Sequence, residues 1–178
     1  LTNYNLQSYP TKRDHVIKKI SKIIKIDSQK LILTPGVDVV LKYIFEIVSK
    51  KKGNILSIYP TYGMIDVYSK IYKKKLIKIT EDKLELFTNK KQYKNIVMLY
   101  LAYPNMPSGK VITNKVLKAM LMYTYKKKIP FIIDEAYIDY SSQKSKLTLI
   151  KKYSNLIILK SFSKFFGIAG LRIGYIAS

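Results

Sequence analysis

The stretch Phe131-Ile132-Ile133-Asp134-Glu135 is an apolar run that ends in two acids. Two other apolar runs also end at residues of a different type. Ile96 to Leu101 ends shortly before the pair Tyr103-Pro104, and Leu156 to Leu159 ends at Lys160-Ser161. Continuous apolar runs are typical of central strands in parallel sheets, because helices cover both faces of such a sheet. These runs alternate with amphipathic stretches, so the sequence predicts an α/β fold.

The remaining elements follow from hydrophobic periodicity and turn residues. A helix near residue 113 has Thr113 or Asn114 as its N-cap, and the polar residues 81–93 give no assignment. Apolar residues recur at helical spacing after Gly36, at Val39, Val40, Tyr43, Ile44 and Ile47. The predicted helices cover 11–26, 36–50, 62–72 and 113–127, and the further strands cover 31–33, 55–58, 75–79 and 173–177.

The composition narrows the possible functions. The 178 residues contain no cysteine, which excludes disulfides and thiolate metal sites. We interpret the single histidine, His15, as a solvated or capping residue and expect no metal site. The N-terminal residues lack the pattern of a signal peptide, and no apolar run approaches the roughly 20 residues that span a bilayer. We therefore expect a cytoplasmic protein without a membrane partner.

The net charge of +22 has two interpretations. One is an anionic partner such as nucleic acid. The other is codon bias, because nearly all of the basic residues are lysine and arginine occurs only at Arg13 and Arg172. The lysines form short clusters where helices end or strands begin, so we favour codon bias and predict no specific nucleic-acid partner. Weak, salt-sensitive binding to polyanions is still expected.

Several predicted strands end in polar residues. In open α/β sheets ligands bind beyond the carboxyl ends of the strands, which places Asp134, Ser161, Lys164 and the 103–109 loop at one edge. A carboxylate at the end of a buried strand requires a cationic partner, although Asp134 alone could equally be an N-cap or a metal ligand. Lys164 lies among hydroxyls and glycines, and a guanidinium follows at Arg172; this combination suits a phosphate dianion. A surface lysine, with Arg172 paired to an acid, is the simpler alternative.

Taken together, the motifs resemble those of fold-type I pyridoxal-phosphate enzymes. The chain is most similar to the class I and II aminotransferases, in the histidinol-phosphate aminotransferase branch, from about Tyr9 to the last residue. The resemblance implies a three-layer α/β/α large domain with a mostly parallel sheet. It is carried by Gly36-Val37-Asp38, Tyr59 to Met64, Pro104 to Gly109, Asp134 to Tyr140, and Ser161 to Tyr175.

The resemblance assigns four residues to the ring of pyridoxal phosphate. Lys164 would form the Schiff base and, once released, move the substrate proton. Asp134 would keep the pyridine nitrogen protonated, so that the ring accepts electrons. Tyr137 would hydrogen-bond the phenolic oxygen, and Tyr62 would stack on the ring face.

The resemblance also implies a phosphate site. Ser161, Ser163 and Arg172 would bind the phosphate through their side chains. The backbone N–H groups of Val37 and Asp38 would bind it at a helix N-terminus, where the dipole favours an anion. Tyr9 matches a residue that, in the family, reaches the phosphate of the neighbouring subunit, which implies a homodimer.

The sequence departs from the family at two points. Met106 stands where the family has an asparagine that donates to the phenolic oxygen, and a thioether cannot donate. Asn105 is the candidate substitute, although it lies one residue away. The family continues into a smaller C-terminal domain that binds the substrate carboxylate, so we expect residues 1–178 to be the cofactor-binding large domain of an incomplete enzyme.

The expected activity is transfer of an amino group between an amino acid and an oxo acid or a phosphorylated amine, with pyridoxal phosphate as cofactor. Two alternatives remain at this point. One is a decarboxylase or lyase on the same scaffold, such as a threonine-phosphate decarboxylase. The other is a non-catalytic remnant or basic binding module, which the charge, Met106 and the absent small domain suggest.

Overall fold

The computed structural model describes residues 13–80, 83–84 and 93–178. Four α-helices are found in them: α1 (Arg13–Ile24), α2 (Val37–Ser49), α3 (Met64–Ile71) and α4 (Asn114–Lys126). The strands are β1 (Leu31–Thr34), β2 (Asn54–Tyr59), β3 (Leu76–Thr80), β4 (Ile96–Ala102), β5 (Phe131–Asp134), β6 (Leu156–Ser161) and β7 (Gly174–Ala177). Short 3₁₀ turns cover Ser28–Lys30, Ile138–Tyr140, Leu147–Lys151 and Ala169–Leu171.

All seven strands form one sheet in the order β1-β7-β6-β5-β4-β2-β3. The five strands β6, β5, β4, β2 and β3, which are neighbours in this order, are parallel to one another. Strand β7 is antiparallel to both β1 and β6. The predicted α/β class with a mostly parallel sheet is therefore confirmed. Because β7 is the one reversed strand in this sheet, the carboxyl ends of the other six meet at one edge.

Two cores lie on opposite faces of the sheet, because successive strand residues point to opposite faces. In β4, Leu99 and Leu101 belong to a core with α1 and α4, and Met98 and Tyr100 belong to a core with α2 and α3. Helices thus cover both faces, and the architecture has the three layers that the resemblance implies. Residues in the middle of β4, β5 and β6 are almost completely buried, as the continuous apolar runs indicated.

Helix α2 packs through a different face from the one that its sequence suggested. Its buried residues are Val40, Leu41, Phe45 and Val48, whereas Tyr43 and Ile47 are 57% and 64% exposed. Apolar residues occur around most of this helix, so its periodicity did not determine which side meets the sheet.

Lysines line the edge of the sheet where the six parallel strands begin. In the described residues the loops before these strands contain one acid, Asp27. The lysines are Lys25 and Lys30 before β1, Lys50–Lys52 before β2, Lys73–Lys75 before β3, Lys94 before β4, Lys126–Lys128 before β5, and Lys151 and Lys152 before β6. We call this surface the lysine-rich edge. None of the helices in the described residues is long and apolar enough to cross a membrane.

Candidate active site

A cavity of about 250 Å³ opens at the carboxyl ends of the parallel strands, opposite the lysine-rich edge. Small-molecule sites commonly have volumes of roughly 300–1,000 Å³, so this cavity is near the lower limit. Strands β4, β5 and β6, the start of α2 and the segment after β6 all contribute to its wall. The residues predicted for the site that line it are Val37, Asp38, Tyr62, Asp134, Tyr137, Ser161, Ser163, Lys164 and Arg172.

Asp134 lies at the carboxyl end of β5 and is 7% exposed. Its Oδ1 accepts a hydrogen bond from the backbone N–H of Ala136 at 3.0 Å, and its Oδ2 accepts one from the Tyr100 hydroxyl at 2.9 Å. Burial raises the pKa of Asp134 to about 6, against the opposing effect of these two hydrogen bonds. Asp38 also contributes to this rise, and Lys164 opposes it. A cation placed in the cavity would therefore stabilise the ionised carboxylate.

Tyr100 is a residue of the cavity that the sequence did not reveal. It lies inside the apolar run of β4, which the sequence indicated only as a buried strand, and its side chain is completely buried. The available signal was a hydroxyl-bearing aromatic residue two positions before the end of β4, on the same face as Ala102. In the register of the sheet Ala102 pairs with Asp134, so Tyr100 is the diagonal neighbour of the acid.

Lys164 follows β6 in an exposed segment. Its Nζ lies 5.3 Å from the centroid of the Tyr137 ring, which also lines the cavity. The chain turns between β6 and Lys164 because the backbone N–H of Ser163 donates to the Ser161 Oγ at 3.1 Å. This turn brings both hydroxyls and the amine to the same cavity.

The candidate anion site consists of Val37 and Asp38 at the start of α2, together with Ser161, Ser163 and Arg172. The sheet order brings these residues together, because Gly174 of β7 pairs with Thr34 before α2 on one side and with Ser161 on the other. The free N–H groups at a helix N-terminus attract an anion. Gly36, which precedes α2, has φ 86°, and a Cβ built there would lie 2.7 Å from Arg172 Nη2. The guanidinium therefore lies directly over this glycine.

Tyr62 is fixed by a carboxylate of α2. Its hydroxyl donates to Asp38 Oδ1 at 2.6 Å, and the Tyr68 hydroxyl donates to the Asp38 backbone oxygen at 3.3 Å. Burial, followed by the hydrogen bond to Asp38, raises the pKa of Tyr62. The Tyr62 phenol thus stays protonated and holds the Asp38 side chain, while the α2 backbone remains available to an anion.

Two predicted site residues are not among those that line the cavity. Asn105 is buried, and its Nδ2 donates to the Pro60 carbonyl at 3.0 Å and to Ser108 Oγ at 3.3 Å. Its amide therefore holds the 105–109 loop against the segment after β2, and Met106 lines the cavity in its place. The expectation that Asn105 substitutes as a cofactor-binding residue stays a prediction, and these two contacts hold its amide in the loop. Tyr9 lies outside the described residues.

Two charged residues beside the cavity have internal partners. Glu135 is fully buried and accepts hydrogen bonds from Ser145 Oγ at 2.5 Å and from the Lys146 backbone N–H at 2.6 Å. Burial raises the pKa of Glu135. Lys160 forms an ion pair with Asp139 at 3.0 Å. These contacts attach the segment after β5 to the end of the sheet.

The model of the family "Aminotransferase class I and II" matches residues 3–178. The chain belongs to this family. Among curated aminotransferases, it is 33% identical to the histidinol-phosphate aminotransferase of Buchnera aphidicola subsp. Schlechtendalia chinensis. This alignment covers 99% of this chain and 50% of that protein. It is also 35% identical to a dihydroxyacetone phosphate transaminase of Campylobacter jejuni, in an alignment that covers 100% of this chain and 50% of that protein.

A solved aminotransferase has the same fold. The crystal structure of histidinol-phosphate aminotransferase from Clostridium acetobutylicum superposes with a TM-score of 0.82 at 26% identity, over 98% of this chain and 53% of that one. This agreement confirms the expected class I and II aminotransferase architecture. The chain spans about half the length of the curated aminotransferases it matches.

Proposed function

We propose that the full-length protein is a pyridoxal-phosphate-dependent aminotransferase. The observation that supports this most strongly is the content of the cavity: a buried carboxylate at Asp134, an amine at Lys164 and the candidate anion site all line it. Membership of the class I and II aminotransferases gives these groups a common ligand, because pyridoxal phosphate has a ring nitrogen, an aldehyde and a phosphate.

The chain's residues fit this cofactor. Asp134, whose pKa burial raises to about 6, lacks a cationic hydrogen-bond partner among the described side chains, and a protonated ring nitrogen would supply one. The phosphate would meet the candidate anion site, where the absence of a Cβ at Gly36 leaves room for the Arg172 guanidinium. Lys164 lies on the cavity wall with its amine exposed.

When bound, pyridoxal phosphate supplies the aldehyde and the electron-accepting ring that amino-group transfer needs. Asp134 would hold the proton on the ring nitrogen. The Lys164 Nζ would first hold the aldehyde carbon and later move the substrate proton. Tyr137 would donate to the phenolic oxygen, and Tyr62, fixed by Asp38, would lie against the ring.

At the other end of the cofactor, the phosphate would bind through backbone and side-chain donors. The backbone N–H groups of Val37 and Asp38 would donate from the start of α2, where the helix dipole favours an anion. Ser161, Ser163 and Arg172 would donate through their side chains, and the Arg172 fork can hold two phosphate oxygens. The phenolic oxygen would accept a hydrogen bond from Tyr137 but not the second one that an asparagine would donate, because Met106 has no donor.

The proposed substrates are a small-molecule amino donor and an oxo-acid acceptor, one of which carries a phosphate. Histidinol phosphate is the first candidate, because the names of the curated relatives specify histidinol phosphate and dihydroxyacetone phosphate. We also propose a homodimer, as the resemblance of the Tyr9 region implies; light scattering of the full-length protein tests it.

Cofactor attachment tests the assignment of Lys164. The full-length protein should develop a visible absorption band with pyridoxal phosphate, and borohydride reduction should leave the label on the peptide that contains Lys164. Lys164→Ala should lose both signals, while Lys144→Ala, which removes an exposed lysine elsewhere, should retain them. A label that is unaffected by Lys164→Ala would contradict the proposal.

The reaction type is tested in single half-reactions. With an amino donor, the proposed aminotransferase should convert the bound cofactor to pyridoxamine phosphate and release an oxo acid. Release of carbon dioxide with the cofactor unchanged would instead identify a decarboxylase and overturn this assignment.

A further inference from the structure

The Tyr100–Asp134 contact has a specific geometry. Tyr100 pairs with Ile132 and Ala102 pairs with Asp134, so the phenol and the carboxylate are diagonal neighbours on one face of the sheet. A diagonal distance of about 7–8 Å between strands is within the reach of an aromatic side chain. The small side chain of Ala102 leaves this path open, and the Tyr100 hydroxyl reaches Asp134 Oδ2 at 2.9 Å.

Packing alone does not account for the Tyr100 hydroxyl. The side chain is completely buried between β4 and the helices α2 and α3, where a phenylalanine would fill the same space. A buried hydroxyl needs a partner, and here the partner is an acid that lines the cavity. Among the described residues, Tyr100 provides the one side-chain hydrogen bond to Asp134, and the other comes from the Ala136 backbone.

We propose that Tyr100 is a positioning residue that orients the Asp134 carboxylate toward the ring nitrogen of pyridoxal phosphate and keeps it ionised. The role of Asp134 toward the ring rests on the proposed function, whereas the effect of Tyr100 on Asp134 does not. Each carboxylate oxygen accepts one bond from the protein, and each retains a lone pair for a ligand.

The charges around Asp134 explain why this donor matters. Asp38 of α2 opposes ionisation of Asp134, Lys164 after β6 favours it, and the surrounding apolar core raises the pKa of Asp134 to about 6. The pKa of Tyr100 itself is raised well above its ordinary value, so the phenol stays protonated as a donor. The Tyr62 hydroxyl is a second phenol beside these two carboxylates, and it donates to Asp38.

The direct test is the titration of Asp134 in the cofactor-free, full-length protein. Tyr100→Phe keeps the ring and removes the donor, and it should raise the pKa of Asp134 by about one unit, as expected for one lost bond to a carboxylate. Isotope-edited infrared spectroscopy of the carboxyl group measures this shift. Tyr123→Phe, which removes a half-buried hydroxyl bonded to the Tyr93 carbonyl in the opposite layer, is the matched control and should not move it.

Cofactor affinity provides a second readout. With a pKa near 7 in place of 6, the ionised fraction of Asp134 would fall about fivefold at pH 6 and by less than about one-tenth at pH 9. Tyr100→Phe should therefore weaken pyridoxal phosphate binding about fivefold at low pH, and the loss should decrease toward alkaline pH. In an Asp134→Asn background the same substitution should lose its pH dependence.

The outcomes separate this proposal from the proposed function. An unchanged pKa of Asp134 in Tyr100→Phe overturns the proposal, as does an affinity loss that is equal at every pH. If the wild-type protein does not bind pyridoxal phosphate at all, the proposed function and the ring-directed role fail together. Should Tyr100→Phe not fold, a ring-fluorinated tyrosine at this position gives the opposite sign: a stronger donor must lower the pKa of Asp134.

Discussion

Replacing Gly36 with alanine would disturb the candidate anion site in two separable ways. At φ 86° and ψ 176° the backbone of Gly36 occupies a region that is essentially restricted to glycine. The added Cβ would also lie 2.7 Å from Arg172 Nη2. The first effect acts on folding, and the second acts on the position of the guanidinium.

The expected magnitudes differ for the two effects. The backbone conformation should cost about 2 kcal/mol of folding free energy, within the roughly 1–3 kcal/mol typical of such positions. The contact with Arg172 should cost little stability, because the end of a flexible side chain can move away. Its displacement should weaken phosphate binding roughly ten- to a hundredfold, as expected for a lost hydrogen bond between charged groups of about 1.5–3 kcal/mol.

The assay combines urea unfolding of the cofactor-free, full-length protein, followed by circular dichroism, with titration of pyridoxal phosphate. Arg172→Ala alone should lower affinity without the full stability loss, and adding it to Gly36→Ala should weaken affinity little further. Gly170→Ala, in the 3₁₀ turn before Arg172, is the control, because a Cβ there has no neighbour within 4 Å. Wild-type stability and affinity in Gly36→Ala would refute this reasoning.

Three further substitutions test other parts of the site. The first is Asp134→Asn. The folded pKa of Asp134 is about 6 and the ordinary value is 3.8, so this group should lower the free energy of unfolding of the cofactor-free protein by up to about 3 kcal/mol as pH rises from about 4 to about 8. Asp134→Asn should remove this part of the slope in pH-dependent urea unfolding, and an identical slope in the variant would contradict the prediction. Met106→Asn adds a donor to the cavity wall and should lower the pH at which the visible band of the bound cofactor titrates by about one unit; a spectrum that titrates at the wild-type pH would exclude this contact. Glu135→Ala leaves the Lys146 N–H and Ser145 hydroxyl without their acceptor and should cost about 3 kcal/mol in urea unfolding; a loss below about 0.5 kcal/mol would show that the contact is weak.

The sequence predicted the strands of the sheet well, because a strand buried on both faces leaves little choice of residue. Apolar residues occur around most of α2, however, so periodicity alone could not identify Val40, Leu41, Phe45 and Val48 as the buried face. The facing sheet selects that side, and no local pattern records it. The exposed Tyr43 and Ile47 are the visible result.

Much of the cavity wall was also predictable, because the polar residues that end parallel strands converge at one edge. Tyr100 escaped prediction since its neighbours in sequence are apolar, and its partner Asp134 lies on another strand. For Asn105 the sequence gives the position along the loop but not the partners of the side chain. Its buried amide donates to the Pro60 carbonyl, 45 residues earlier in the chain.

The lysine-rich edge makes the charge unequal at the two ends of the parallel strands. Among the described residues, fourteen lysines and one acid lie where the parallel strands begin, and the cavity opens where these strands end. On a negatively charged support such as silica, the protein should adsorb through that edge, with the cavity turned toward the bulk solution. Attachment by charge would thus immobilise the protein in a uniform orientation and leave the cavity accessible to small molecules.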